Sequence, residues 1–180
     1  QATSTHFQPE VASETFPRAT IVRYEFPARG SRPPVKLTWY DGRLLPERPT
    51  ELEPERDMNF GDGGGTTFVG DKGKIACGTY GDSPRIIPES KMREYTRPPK
   101  TLTRVVGTHE QNWIDACKGG QAAGSNFEYG ARLTEITLLG VLAVRLGKKI
   151  QWDPAAMKVP DVPEADPIIQ GTYRTGWELV

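Results

Sequence analysis

The sequence lacks any long apolar run. Its longest uncharged apolar stretch, Leu138 to Val144, falls far short of the roughly 20 residues that cross a bilayer, so a membrane-spanning helix is not expected. Net charge is missing too: 23 Lys and Arg balance 23 Asp and Glu, which fits neither a polybasic nucleic-acid binder nor an acidic tail. Cysteine is scarce. Cys77 and Cys117 stand outside any C-x-x-C pattern, so neither a disulfide framework nor a zinc site has support. The two histidines, His6 and His109, do not make a metal site either. The opening Gln1-Ala2-Thr3 has no methionine, basic n-region or apolar h-region, and the expectation is a fragment of a larger protein or a processed product.

What is plentiful is glycine and proline, 19 and 16 of 180 residues, so turns and irregular connections should occupy much of the chain. Hydrophobic residues at 36% and charged residues at 26% are the composition of a globular chain. At this length roughly 70% of the unfolded surface can be buried. The whole of 1–180 is read as one domain.

The first half patterns as strands. Ala19 to Phe26 alternates Arg23 and Glu25 against Val22, Tyr24 and Phe26, which suits a strand with one buried face. Val35 to Tyr40 repeats the alternation and stops at Asp41-Gly42, a turn dipeptide. Thr66 to Val69 and Lys74 to Cys77 flank Gly70-Asp71-Lys72-Gly73, a hairpin signature. Connections this short leave no room for crossover helices. The expected fold is therefore α+β, a mainly antiparallel, open-faced sheet with helices on one face. Residues 43 to 62, with Pro46, Pro49 and Pro54 among charges that include Glu47, Arg48, Glu51, Glu53, Glu55, Arg56 and Asp57, read as a long solvated excursion facing a partner.

The second half predicts two helices. Thr108 to Gln111 and Ser125 to Glu128 each match a capping box. The first helix should end at Gly119-Gly120 and bury Trp113, Ile114 and Cys117; the second should run to about Leu146 and close at Gly147, with Lys148 and Lys149 near its negative end. From Ile136 to Leu146 that helix is apolar nearly all round, which requires cover on more than one side. A short strand at Ile150 to Trp152 and an extended, proline-punctuated arm stapled by aromatics should complete the chain.

Candidate chemistry is sparse. Gly61-Asp62-Gly63-Gly64-Gly65-Thr66 follows a loop and opens a strand, the wrong context for a dinucleotide cradle, and Thr66 stands where the final glycine belongs. Trp39-Tyr40-Asp41 at a strand end offers ring faces and an acceptor for a sugar, although a strand end also needs a cap and cover. His109 opens a helix, with Glu110 beside it and Asp115 further on, and the positive helix end disfavours an imidazolium. It also reads as a plain exposed first-turn residue. Trp39, Tyr40, Asp41 and His109 are the substrate-binding candidates. No Ser-His-Asp order, carboxylate pair or nucleic-acid motif is present.

Several blocks in order resemble a known family: Phe16 to Arg29, Pro34 to Gly42, Phe68 to Ile75, His109 to Ala116, and Leu133 to Gly140. Together, over about residues 15 to 178, they resemble the C-terminal domain of the Gfo/Idh/MocA oxidoreductases, in the branch common in Bacteroidetes and Planctomycetes. The resemblance implies a parent with an N-terminal Rossmann domain that binds NAD or NADP, and a C-terminal α+β domain that closes over the active site and forms a homodimer through its sheet. It implies oxidation or reduction of hydroxyl and keto groups of sugars or polyols, in the cytoplasm or after export to the periplasm. The family's nucleotide loop, its Glu-Lys-Pro lysine and its Gly-x-His-x-x-Asp segment are expected before residue 1, so no catalytic or cofactor-binding residue carries over and this chain alone should be inactive. The other reading is a free-standing carbohydrate-binding or scaffolding module.

Overall fold

The computed structural model describes residues 1–5, 15–61 and 63–178; His6 and Asp62 lie outside them. The fold is α+β, as the strand and helix patterns predict. Its strands are β1 (Ala2–Ser4), β2 (Thr20–Phe26), β3 (Val35–Tyr40), β4 (Thr66–Val69), β5 (Lys74–Cys77) and β6 (Arg85–Ile87), and its helices α1 (Glu89–Glu94), α2 (His109–Cys117), α3 (Phe127–Leu146) and α4 (Asp166–Gln170). The strands make two antiparallel three-stranded sheets, β1-β2-β3 and β4-β5-β6, where the sequence reading has one. Backbone contacts divide the chain accordingly. Unit one comprises 1–45 and 105–180, and unit two is the segment 46–104 between them.

In unit one the β2–β3 register sets Val22 opposite Trp39, Tyr24 opposite Leu37 and Phe26 opposite Val35. Directly opposed residues share a face, so all six point the same way. Helix α3 covers the β1 and β2 part of that face. Contact is close at Gly140, where a Cβ would lie 2.1 Å from the Tyr24 hydroxyl and 3.3 Å from a Val22 methyl. The β3 part of the face is bare: Val35, Leu37 and Trp39 are 54%, 40% and 60% exposed.

The other flank of α3 is covered by the tail, which buries Val159, Val162 and Ala165 against Leu142, with Ile150 and Trp152 packed alongside. The apolar stretch of α3 thus has its second cover. Trp152 donates its indole N–H to Glu135 at 2.6 Å, and Lys148 pairs with Glu164. The expected strand at Ile150 to Trp152 does not form. With no neighbouring strand to pair, this segment packs by its side chains, and only an isolated bridge, Asp153 to Lys158, follows it. Nor is the tail simply extended, since it coils into a 3-10 turn at Pro163–Ala165 and then α4. Trp177 is exposed, with the Arg174 guanidinium over its ring, and so does not staple the arm.

The helix ends follow the capping signals. Thr108 accepts from the Gln111 amide at 3.2 Å, and Gly147 closes α3 at φ 61°. The α3 cap sits one residue later than the Ser125 pattern predicts, because the Asn126 carboxamide accepts from the Tyr129 amide at 3.0 Å. Helix α2 departs further. Trp113, Ile114 and Cys117, expected inside, are all exposed, since α2 has no buried residue and no described residue of its own unit buries that face.

Unit two corrects the solvated excursion. Leu52 is 4% exposed, packed with Ala76, Ile87, Met58 and Phe60, so much of this charged segment caps one face of the β5–β6 pair. Its charges hold it there. Arg48 donates to the carbonyls of Glu53 and Arg56 at 2.5 and 2.8 Å, Lys74 donates to Glu51 at 2.5 Å, and Glu53 accepts from the Glu89 amide at 2.6 Å. Cys77 is buried.

Candidate functional site

The end of β3 and the turn after it carry three of the four sequence candidates, Trp39 and Tyr40 in the strand and Asp41 in the turn. Backbone alternation decides how they can act. Trp39 shares the face of Val22, whereas Tyr40 lies opposite Ile21 on the reverse face. The two rings therefore flank the strand and do not form one platform for a single sugar ring.

Asp41 is bound to Thr20. Its carboxylate oxygens accept from the Thr20 amide at 2.5 Å and the Thr20 hydroxyl at 2.7 Å, and its own amide donates to the Thr20 carbonyl at 3.1 Å. Thr20 is buried, so its amide and hydroxyl need acceptors away from water. Asp41 supplies both. The chain then reverses through Gly42 and Arg43, at φ 60° and 70°. A Cβ on Gly42 would meet the Arg18 carbonyl oxygen at 2.1 Å.

His109, at the first position of α2, is 89% exposed on its side chain and faces Glu110 at 2.8 Å. The Glu110 carboxyl is held below its ordinary range, first by the Thr108 hydroxyl, with a smaller contribution from His109. Asp115 does not orient the imidazole, since it accepts from the Gln111 carboxamide at 2.7 Å. No hydrogen bond or ion pair among the described residues joins His109 to residues 39–41.

Between the end of α2 and the start of α3 lies an open groove of about 280 Å³ lined by Trp113, Cys117, Ala123 and Phe127 among others. The Asn126 carboxamide at its edge is occupied by capping. Among the described residues no cluster of three or more His, Cys, Asp or Glu side chains could hold a metal ion, and no helix is long and apolar enough to cross a membrane.

The sequence reading missed a second surface, on the β4-β5-β6 sheet of unit two. Lys74, Ala76, Arg85 and Ile87 point to the face that Leu52 covers, and the register places Phe68, Ile75 and Ile86 side by side on the reverse face. Phe68 and Ile75 are exposed. The run of Ile75, Ala76 and Cys77 in β5, apolar on both faces of the strand, was available as a signal; the three-residue β6 was too short to be read.

No protein-family model matches the chain, and none of the curated proteins matches it.

Proposed function

We propose that the chain is the substrate-binding and dimerisation domain of an NAD- or NADP-dependent oxidoreductase that acts on hydroxyl or keto groups of sugars or polyols, with its cofactor bound by a separate Rossmann domain. The reading rests on the five blocks that resemble the Gfo/Idh/MocA C-terminal domain. The observation that carries it is the bare Val35-Leu37-Trp39 stripe beside α3. Three adjacent apolar side chains on one strand face are what a domain presents to a second copy or a neighbouring domain. The blocks also meet in space, since Gly140 from the last packs on Tyr24 from the first.

On this reading His109 and the outer edge of the β3 turn face substrate, while Asp41 holds the turn in shape. The chain contributes walls and orientation, and the separate domain contributes the pyrophosphate cradle on a helix N-terminus.

Two measurements test it. Calorimetric titration of this chain with NAD and NADP should give no saturable binding, whereas a polypeptide that joins it to the upstream Rossmann domain should bind the cofactor and transfer hydride to or from sugars or polyols. Light scattering should give a two-fold dimer of about 1,200 Å² or more of buried area, dissociated by Trp39→Glu. Micromolar NAD binding to the chain alone, or hydride transfer that survives deletion of this domain, defeats the assignment. Sugar binding by the chain with no hydride transfer in any longer form would favour the carbohydrate-binding module.

A further inference from the structure

The reverse face of the second sheet runs into a groove. Beside the Phe68-Ile75-Ile86 row, a depression of about 350 Å³ is lined by Ile75, Ile86, Met92, Pro98, Tyr95 and Arg97, among others. Its volume is at the lower end for small-molecule sites. All these residues belong to unit two, and the helix α1 that carries Met92 packs on β6. The wall is apolar except for one phenol and one guanidinium.

Those two groups are uncommitted. Arg56 and Arg85 of the same unit are paired with Glu89, and Arg48 is held by carbonyls. The Tyr95 phenol and the Arg97 guanidinium make no hydrogen bond or ion pair among the described residues. A single guanidinium at the edge of an apolar trough selects one negative charge, and its planar fork matches a carboxylate through two parallel N–H donors. A phosphate dianion would call for a second cation in the lining. The thioether of Met92 adapts to irregular apolar shapes, and the Tyr95 ring offers a flat face.

We infer that this groove binds a small amphiphilic carboxylate, an apolar body of aryl or short alkyl type with one terminal carboxyl group. Arg97 takes the carboxylate, and Ile75, Ile86, Met92 and Tyr95 cover the body. The site is in the other unit from Trp39 and His109, and the inference stands independently of the oxidoreductase reading.

The chain contains three methionines, which makes the test direct. Met92 lines the groove, Met58 packs against the opposite face of the same sheet, and Met157 lies in unit one. Phenylbutanoate titrated into the full chain should shift the Met92 methyl resonance saturably, with a dissociation constant of about millimolar order, and leave Met58 and Met157 in place. Phenylbutanol, with the same body and no charge, should bind at least about tenfold more weakly. Arg97→Leu should cause the same loss without moving the melting temperature, since Arg97 is exposed, and Arg97→Lys should restore part of the affinity. Equal binding of acid and alcohol, unchanged binding by Arg97→Leu, parallel shifts of all three methionines or no saturation would each overturn the inference. So would a Met92 resonance that moves with protein concentration alone, because a second copy would then fill the groove.

Discussion

Replacing Gly140 by alanine puts a methyl group 2.1 Å from the Tyr24 hydroxyl oxygen, 3.1 Å from the adjacent ring carbon and 3.3 Å from a Val22 methyl. Two effects oppose each other. Alanine in a helix interior is favoured over glycine by about 1 kcal/mol, while overpacking a filled contact costs about 1–3 kcal/mol. The net for Gly140→Ala is a loss of about 0–2 kcal/mol. Tyr24→Phe removes the closest atom, and no hydrogen bond among the described residues uses that hydroxyl. In the Tyr24→Phe background the remaining approach of 3.1 Å needs only a small ring shift, so Gly140→Ala should become neutral or stabilising, with a coupling of about 1–2 kcal/mol. For a chain of this size that is a difference of roughly 2–8 °C in melting temperature. Tryptophan fluorescence is the right probe: Trp39, Trp113, Trp152 and Trp177 all lie in unit one, so unfolding of unit two stays silent. Additive effects of the two substitutions, or a stabilised Gly140→Ala single variant, would refute the contact between α3 and β2.

Asp41→Ala should lower stability by about 1–3 kcal/mol, because it leaves the buried Thr20 amide and hydroxyl without acceptors; urea unfolding followed by tryptophan fluorescence measures it. His109→Ala should leave melting unchanged, yet in the two-domain oxidoreductase it should reduce kcat/KM by about tenfold, or roughly 1.4 kcal/mol; unchanged kinetics would make it an ordinary surface residue. Leu52→Ala should cost unit two about 2–5 kcal/mol, seen as faster amide exchange in β5 and β6 with unit one unaffected. Glu51, Glu53 and Glu89 are held below the ordinary carboxyl value of 4.5, chiefly by Lys74, by the Glu89 amide and by Arg85 respectively. Groups lowered in the folded state contribute stability above the unfolded value and lose it as pH falls through the folded one. Unit two should therefore keep its full exchange protection above about pH 4.5 and show it weakened below, with Glu53→Gln reducing the dependence; a weakening that begins above about pH 6 would contradict the pairing.

Sequence carried the parts of the fold that are decided locally. The Thr108 cap, the Gly147 stop and the Gly70 to Gly73 hairpin are each set within a few residues, and each appears where the pattern put it. What escaped was non-local. Strands β1 and β6 have three residues each, less than two full alternations, and the division into two sheets depends on pairings that no single segment encodes. The excursion from residue 43 looked solvated because its charges outnumber its apolar groups, but one leucine at Leu52 and a few charged hydrogen bonds suffice to dock it. Asp41 was legible as a turn residue with an acceptor; that the acceptor is taken depends on Thr20, 21 positions away. For Cys117 the apolar face was read correctly and its cover was not, because periodicity identifies a face without supplying its partner.

The order of the two units along the chain bears on how the protein is made. Unit two is an insertion: residues 46–104 interrupt unit one, whose halves lie on either side. Synthesis runs from the N-terminus, so the β2–β3 hairpin emerges first, with Val22, Tyr24 and Trp39 unprotected. The insertion then emerges whole and can close its own contacts, all of which lie within residues 46–104, before Gly140 and Leu142 have been joined to the chain. Until α3 arrives, the nascent hairpin carries uncovered the apolar face that the mature unit covers only over β1 and β2, and in this interval that face is open to association with another chain.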